Sequence, residues 1–378
     1  MTFRNVFEGK RVFITGHTGF KGSWLASWMH LLGADVTGYA LPPEYPGSHF
    51  EKLGLAKRIR HVEGDLRDAG RLRQSLCAAK PEFVFHLAAQ PLVRRSYAEP
   101  KLTFDTNVGG SVNLLEAVRA SSAVRALIYV TSDKCYRNRE SLQGYRETDE
   151  LGGHDPYSAS KACAELLFAS YEASFFSASG VKAASVRAGN VIGGGDLAED
   201  RIVPDCIRAL TGEVPIAVRN PHAVRPWQHV LEPLSAYIAL AGRLYDGENL
   251  RGAWNFGPAH ESHRTVGELV DAVIGFWGSG SKQIMPRDGA APKETSFLYL
   301  NCDKAIRELG WKPSFDFRES VGYTVDWYRE AHEGADAWAL TTRQIEAYSA
   351  GQDGILRGHC QAPVFQQPAV ALQATERA

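Results

Sequence analysis

Apolar residues in the first half of the chain fall in short continuous runs, separated by stretches with helical spacing. Val12-Phe13-Ile14 is a run of the kind that makes a fully buried strand. It ends in Gly16, Gly19 and Gly22, with two residues between each, and passes into SWLASWMHLL, where apolar positions recur on one helical face. Residues 35–40 (DVTGYA), introduced by Gly33 at a helix end, predict a second strand. Residues 60–63 predict a third, 83–87 (FVFHL) a fourth and 126–131 (ALIYVT) a fifth. Between them the pattern predicts a short helix over 50–57, one ending at residue 79 and capped by Asp68, and a long one over 99–120. A further helix begins near Tyr157, and 182–187 (KAASVR) supplies another strand. Such alternation predicts an α/β fold, a doubly wound parallel sheet with helices on both faces.

After Gly193-Gly194-Gly195 the alternation becomes irregular, with helices predicted over 203–211, 233–245 and 266–277 and short strands over 214–218 and 253–256. The expected organisation is a dinucleotide-binding domain over 1–189 and a smaller substrate lobe over 190–348. A loosely ordered tail is expected over 349–378, where periodicity gives way to Gln, Ala and Pro. A length of 378 residues suits about two domains. A net charge of −1 gives no reason to expect nucleic acid or an anionic membrane as partner. No apolar run is long enough to span a bilayer, and MTFRNVFEGK lacks the apolar core of an export signal. Six scattered cysteines without a C-x-x-C pair read as free thiols, so the expected location is cytoplasmic. His260 and His263 have no third ligand nearby in sequence, and no metal is expected.

Ligands of such sheets sit beyond the carboxyl ends of the strands, and four groups of residues fall there. The first is the glycine turn, which leads into a helix N-terminus suited to a pyrophosphate. Gly16 would make the tight turn, Gly19 permit close approach and Gly22 let strand and helix pack. The others are Asp65-Leu66, Ala88-Ala89-Gln90 and Ser132-Asp133-Lys134. Tyr157 and Lys161 lie four apart on a helix and share a face. The ammonium is expected to lower the phenol's pKa, giving a base for an alcohol that loses hydride to a nicotinamide. Ser132 could bond the same hydroxyl. Asp133 and Lys134 add an acid and an amine beside that site, which suggests an elimination. Oxidising a sugar at C4 acidifies C5–H, and water can then leave across C5–C6. Strand two ends Gly38-Tyr39-Ala40-Leu41, without the acid that often meets the adenosine ribose and without an arginine for a 2′-phosphate. NAD is favoured over NADP.

HTGFKGSW, HLAAQPLVRRSY, VTSDKCY, PYSASK, RAGNVIGGGD and RPWQHV together resemble the nucleotide-sugar 4,6-dehydratases of the extended short-chain dehydrogenase/reductase family. The resemblance runs from about residue 10 to about residue 348. Relatives that use dTDP-glucose carry Asp-Glu where this chain has Asp133-Lys134. The lysine, with the GFKGSW turn, points within the family to CDP-glucose as substrate. By resemblance the catalytic residues are Ser132, Asp133, Lys134, Tyr157 and Lys161. NAD would be met by Gly16, Thr18, Gly19, Phe20 and Gly22 at the turn and by Asp65 and Leu66 at the adenine. Leu87, Ala88 and Ala89 would flank it on strand four; Tyr157 and Lys161 also contact it, and Asn107 organises the site. Gln90, Ser132, Asn190, Arg201 and Arg225 would contact the substrate, the arginines through its diphosphate and nucleotide. The resemblance also implies a homodimer paired through helices around 99–120 and after Tyr157. Three other readings stay open. Another nucleotide-sugar dehydratase, acting on UDP-N-acetylglucosamine or GDP-mannose, would differ only in its nucleotide pocket. A 4-epimerase uses the same Ser, Tyr and Lys but needs no Asp133-Lys134 pair, and a cofactor-sensing Rossmann protein needs none of them together.

Overall fold

In the computed structural model, which describes residues 3–141, 143–286 and 297–356, seven parallel strands form the central sheet. They are β1 (Arg11–Thr15), β2 (Asp35–Ala40), β3 (Arg60–Glu63), β4 (Phe83–His86), β5 (Ala126–Val130), β6 (Lys182–Ala188) and β7 (Gly252–Phe256). The order across the sheet is β3-β2-β1-β4-β5-β6-β7, and every neighbouring pair is parallel. The reversal beside β1 makes the sheet doubly wound, as the alternation predicts. Strands covered on both faces read as continuous apolar runs, which is why β1, β4 and β5 stand out in the sequence.

One face carries α1 (Phe20–Leu31), α6 (Leu231–Tyr245) and α7 (Ala337–Leu356) over a core that includes Trp24, Trp28, Tyr237 and Trp254. The other is covered by α2 (Ala69–Ala79), α4 (Gly110–Arg119) and α5 (Pro156–Tyr171) through Leu72, Leu76, Leu114 and Phe168. Asp68 caps α2, accepting from the Arg71 amide at 2.9 Å as expected. Later segments are pinned to α1: Trp24 donates its indole N–H to the Gly194 carbonyl at 2.9 Å.

The structure departs from the predicted pattern in several places. The strand expected over 253–256 in the second lobe is instead Gly252–Phe256, the outer strand β7 of the main sheet, paired with β6. The helix predicted over 50–57 is split into His49–Lys52, with a Ser48–Glu51 capping box, and a 3-10 turn at Leu55–Lys57. The helix predicted over 99–120 contains a wider turn at Asp105–Gly109, between Pro100–Phe104 and α4. A further helix, α3 (Val93–Ala98), has no counterpart in the prediction. Helix α7 continues past residue 349, where the tail was expected to begin, as far as Leu356; the rest of that expected tail, 357–378, lies outside the described residues.

Glu232 of α6 is buried and accepts from the Ser314 and Phe315 amides at 2.7–3.1 Å. Burial pushes its carboxyl up to about 7, opposed by those amides and the Tyr348 hydroxyl. A carboxyl with a raised folded pKa favours the folded state while protonated, and that advantage is lost as pH rises from the ordinary value of 4.5 toward 7. Glu232→Gln keeps an acceptor and removes the ionisation. Relative to this variant, the wild type is expected to lose about 3 kcal/mol of stability between about pH 4 and about pH 8. Urea unfolding across that range checks it, and parallel stability curves for the two proteins would contradict it.

Candidate active site

The carboxyl ends of the strands open into a cavity of about 1730 Å³. A pocket for one small ligand is typically about 300–1,000 Å³, so this one has room for two side by side. Every residue expected at the site lines it except Asn107.

At one end lies the glycine turn. Gly16 has φ +78°, and a Cβ there would come within 2.7 Å of the Ala88 nitrogen. A Cβ on Gly22 would stand 2.0 Å from the Gly16 carbonyl oxygen. Gly19 differs: its nearest neighbour would be 3.4 Å away, so the protein itself leaves that side open. Gly19 also begins α1 without a side-chain cap, which leaves first-turn N–H groups for an anion. Thr18 Oγ1 donates to the Leu41 carbonyl at 2.9 Å, holding the turn to the end of β2, and Phe20 packs towards Gly193. Where β4 ends, the Ala88 amide donates to Thr15 Oγ1 at 3.2 Å, so Leu87–Ala89 follows the turn closely. The open, uncapped turn fits a dinucleotide pyrophosphate.

Asp65 lines the far end of the cavity, its carboxylate held by the Arg67 guanidinium at 2.5–3.0 Å. Hydrogen bonds from Arg67 keep it below the usual carboxylate range. Leu66 is buried against Gly110.

Asn107 sits in the wide turn before α4 and is buried behind the cavity. Its Oδ1 accepts from the Gln90 amide at 2.8 Å, while Nδ2 donates to the Gln90 carbonyl at 3.1 Å and to Ser160 Oγ at 2.9 Å. Ser160 Oγ in turn donates to the Tyr157 carbonyl at 2.7 Å. Asn107 thus ties the end of β4 to the first turn of α5. Gln90, expected to touch a hexose, turns its amide inward: Nε2 donates to the Leu92 carbonyl and to Thr103, and Oε1 accepts from the Leu92 amide. Both amide hydrogens are engaged, so the side chain shapes the loop and offers no N–H to the cavity.

The reactive groups gather at the middle. Ser132 follows β5 and caps a 3-10 turn, Asp133–Cys135, donating to Asp133 Oδ1 at 2.9 Å and accepting from the Lys134 amide at 3.2 Å. Its hydroxyl lies near enough to the Tyr157 phenol to favour the phenolate. Asp133 is buried, and its Oδ2 has no hydrogen-bond partner among the described residues. The Lys134 amine lies 3.9 Å from Asp133 Oδ1 with about a third of its side chain exposed. Tyr157 opens α5, Asp155 capping the helix through the Ser158 amide at 2.9 Å.

One electrostatic expectation is overturned. The Tyr157 phenol is pushed up to about 12, not down, because burial penalises the phenolate. Ser132 and Arg201 oppose that rise; Asp133 adds to it. Lys161 stands 6.0 Å from the Tyr157 ring centre and is itself pushed down to about 8 by burial, with Glu165 and Cys135 opposing. In this setting desolvation outweighs Ser132 and Arg201, and Lys161 is not among the main groups that act on the phenol.

The family profile described as GDP-mannose 4,6 dehydratase matches residues 13–324. The chain belongs to this family. It is 47% identical over 354 residues to a CDP-glucose 4,6-dehydratase of Salmonella typhimurium strain LT2, covering 92% of this chain and 98% of the relative. Among solved structures it resembles a UDP-glucose-4-epimerase from Stenotrophomonas maltophila with bound NAD and formylated UDP-arabinopyranose. There the TM-score is 0.75 at 24% identity, over 86% of this chain and 100% of that one. A UDP-glucose 4-epimerase from Thermus thermophilus in complex with NAD gives a TM-score of 0.73 at 26% identity, over 85% and 99% of the two chains. The sheet and its connections are those of the extended short-chain dehydrogenase/reductase fold.

In this 4,6-dehydratase family member, the second half of the chain closes the cavity. Asn190 follows β6, and its carbonyl accepts from the Gln228 amide at 3.1 Å. Arg201 is paired with Asp196 at 2.8 Å and lies close enough to influence Tyr157. Arg225 lines the same wall, its Nη1 donating to the Val224 carbonyl at 2.9 Å. Two features escaped the sequence reading. Arg94 of α3 and Arg219 both reach Asp200 Oδ1, at 2.9 and 3.1 Å, across the cavity mouth. Lys21, inside the glycine turn, faces the reactive centre; burial pushes it down to about 8, helped by Arg201 and opposed by Asp133. A lysine amid small and apolar turn residues was the available signal.

Proposed function

We propose that this protein is a CDP-D-glucose 4,6-dehydratase that forms CDP-4-keto-6-deoxy-D-glucose with loss of water. The observation that carries this reading is the Asp133–Lys134 pair, which opens into the same cavity as Ser132, Tyr157 and Lys161. A 4-epimerase has no use for that second acid–base set. The Salmonella relative supports cytidine as the base.

The glycine turn, Asp65-Leu66, Leu87–Ala89 and Lys161 would hold NAD, whose chemistry is to take the C4 hydride and return it to C6. Tyr157 would take the proton of the C4 hydroxyl once the positive charge of a bound nicotinamide adds to Ser132 and Arg201 against the burial that raises the phenol. Lys134 takes the C5 proton, now alpha to a ketone. Asp133 gives a proton through the unpartnered Oδ2 to the C6 hydroxyl, which leaves as water. Lys134 then returns its proton to C5, and the proton taken up by Tyr157 replaces, through solvent, the one that Asp133 gave, so the sugar loses one water and keeps the C4 ketone. Asn190, Arg201 and Arg225 meet the diphosphate and nucleotide, since guanidinium forks match phosphate oxygens. NAD is favoured over NADP because β2 ends at Ala40 without an arginine, and Arg67 is engaged by Asp65. We place the enzyme in the cytoplasm as a homodimer; no helix among the described residues is long and apolar enough to cross a membrane.

The test is turnover of CDP-, dTDP-, UDP- and GDP-glucose with NAD, following the 4-keto product. CDP-glucose is expected to lead in kcat/KM by at least about tenfold, a difference of about 1.4 kcal/mol. Equal use of dTDP-glucose would overturn the base assignment. Recovery of a CDP-hexose epimerised at C4, with no water lost, would replace dehydration by epimerisation.

A further inference from the structure

Glu165 follows Lys161 by four residues, as Lys161 follows Tyr157, so the three share one face of α5. Glu165 is buried and ion-paired with Arg187 of β6, Arg187 Nη2 to Glu165 Oε2 at 2.6 Å. Two further bonds of this pair lead to the two ends of the turn that bears Asp133 and Lys134; Arg187 Nη1 also donates to the Glu147 carbonyl at 3.2 Å. Glu165 Oε1 accepts from the hydroxyl of Thr131, which immediately precedes Ser132, and Oε2 also accepts from Ser185 Oγ at 2.9 Å. Arg187 Nη1 donates to the hydroxyl of Tyr136, the residue after that turn, at 2.5 Å, and its guanidinium lies 4.8 Å from the Tyr136 ring centre. Tyr136 passes the chain of bonds to Asn255 Oδ1 of β7 at 2.8 Å.

We propose that the Glu165–Arg187 pair is a positioning device for the dehydration, fixing the turn that carries Asp133 and Lys134 to the helix that carries Tyr157 and Lys161. This rests on the reaction proposed above. A buried ion pair is a poor source of stability, since apolar replacements of similar volume often leave a protein equally stable. It does impose register. One guanidinium and one carboxylate set Thr131, Tyr136, Ser185 and α5 against one another, so the acid–base turn cannot slide relative to Tyr157. Reacting groups need this: a displacement of about 1 Å can cost about 100-fold in rate. Neither member of the pair lines the cavity, so neither touches a reacting atom. The same carboxylate also supports the charge of Lys161 against burial. The other ionisable groups coupled to that amine are Cys135 of the turn, His86 of β4 and Lys21 of α1.

The test replaces both partners, Glu165→Leu with Arg187→Met, so that neither charge is left buried alone. The double variant is expected to fold with a thermal midpoint near that of the wild type and to keep its KM for CDP-glucose within about threefold. Its kcat is expected to fall about 100-fold. Amide hydrogen exchange at residues 131–136, read without substrate, should quicken at least tenfold. Thr131→Val cuts the link to the turn and leaves the ion pair whole, so it serves even where the double variant fails to fold; its kcat should fall about tenfold at unchanged KM. The proposal is overturned by a folded double variant, or by a Thr131→Val protein, whose kcat stays within threefold of wild type or whose turn exchanges at the wild-type rate. Exchange does not depend on the substrate. A wild type inert toward CDP-glucose would therefore count against the proposed reaction, while the exchange result still decides the role of the pair.

Discussion

Lys134→Ala is expected to leave oxidation at C4 in place and stop every step after it. Lys134 lies 3.9 Å from Asp133 at the exposed side of the reactive centre, while Tyr157 and Ser132 meet each other on its buried side. In the proposed reaction the proton from the C4 hydroxyl and the proton from C5 thus go to different residues. In the variant, single-turnover absorbance should show reduced nicotinamide forming on addition of CDP-glucose. Deuterium from solvent should no longer enter at C5, and kcat for dehydration should fall by about 100-fold or more, the usual worth of a positioned acid–base group. Tyr157→Phe should block both events, because without the ketone C5–H is not acidic. A Lys134→Ala enzyme that still dehydrates within about tenfold of wild type, under about 1.4 kcal/mol of barrier, would move the base elsewhere, to Asp133 or to water.

The three glycines of the turn should respond differently to alanine. Gly22→Ala forces a methyl to 2.0 Å from the Gly16 carbonyl oxygen, a backbone atom with nowhere to go. Gly16→Ala combines a 2.7 Å approach to the Ala88 backbone with a left-handed φ of +78°. Overpacking and left-handed strain each cost about 1–3 kcal/mol, so both variants are expected to lose at least about 2 kcal/mol of stability. Gly19→Ala meets nothing closer than 3.4 Å and should leave stability within about 0.5 kcal/mol. Its methyl points instead into the space where a pyrophosphate would lie, so NAD affinity should fall at least tenfold. Thermal melts and NAD titrations of the three proteins separate these effects. A Gly19→Ala protein that binds NAD as wild type does would show that the close approach expected there does not occur.

Most of the sheet and much of the reactive set were legible in the sequence because both are local. A parallel strand buried on both faces announces itself as an apolar run, and the Tyr157–Lys161 spacing depends on one helix alone. Asp68 capped its helix as read for the same reason: the bond spans three residues. Helix α3 was not legible, since QPLVRRSY has a proline, two adjacent arginines and no apolar period, and the chain folds there because it crosses the cavity mouth. The wide turn at Asn107 answers to partners on Gln90 and Ser160, far away in sequence.

What the sequence determined by itself was therefore the kind of chemistry: a strand–glycine–helix turn, a Tyr-Lys helix and an acid–amine pair at the end of a strand. Only the tertiary structure decided the state of those groups. It buried Tyr157 so that its phenol rises to about 12, turned the Gln90 amide inward, brought Lys21 to face Arg201 and Asp133, and joined Gly252–Phe256 to the edge of the main sheet. Arg187 shows the boundary between the two. A charge near the end of a buried strand demands a buried partner, which the sequence can announce; that the partner is Glu165, and that the pair grips both ends of the Asp133–Lys134 turn, follows only from packing. Residue types and spacing are set along the chain, whereas desolvation and charge–charge distance exist only once distant segments have closed around the cavity.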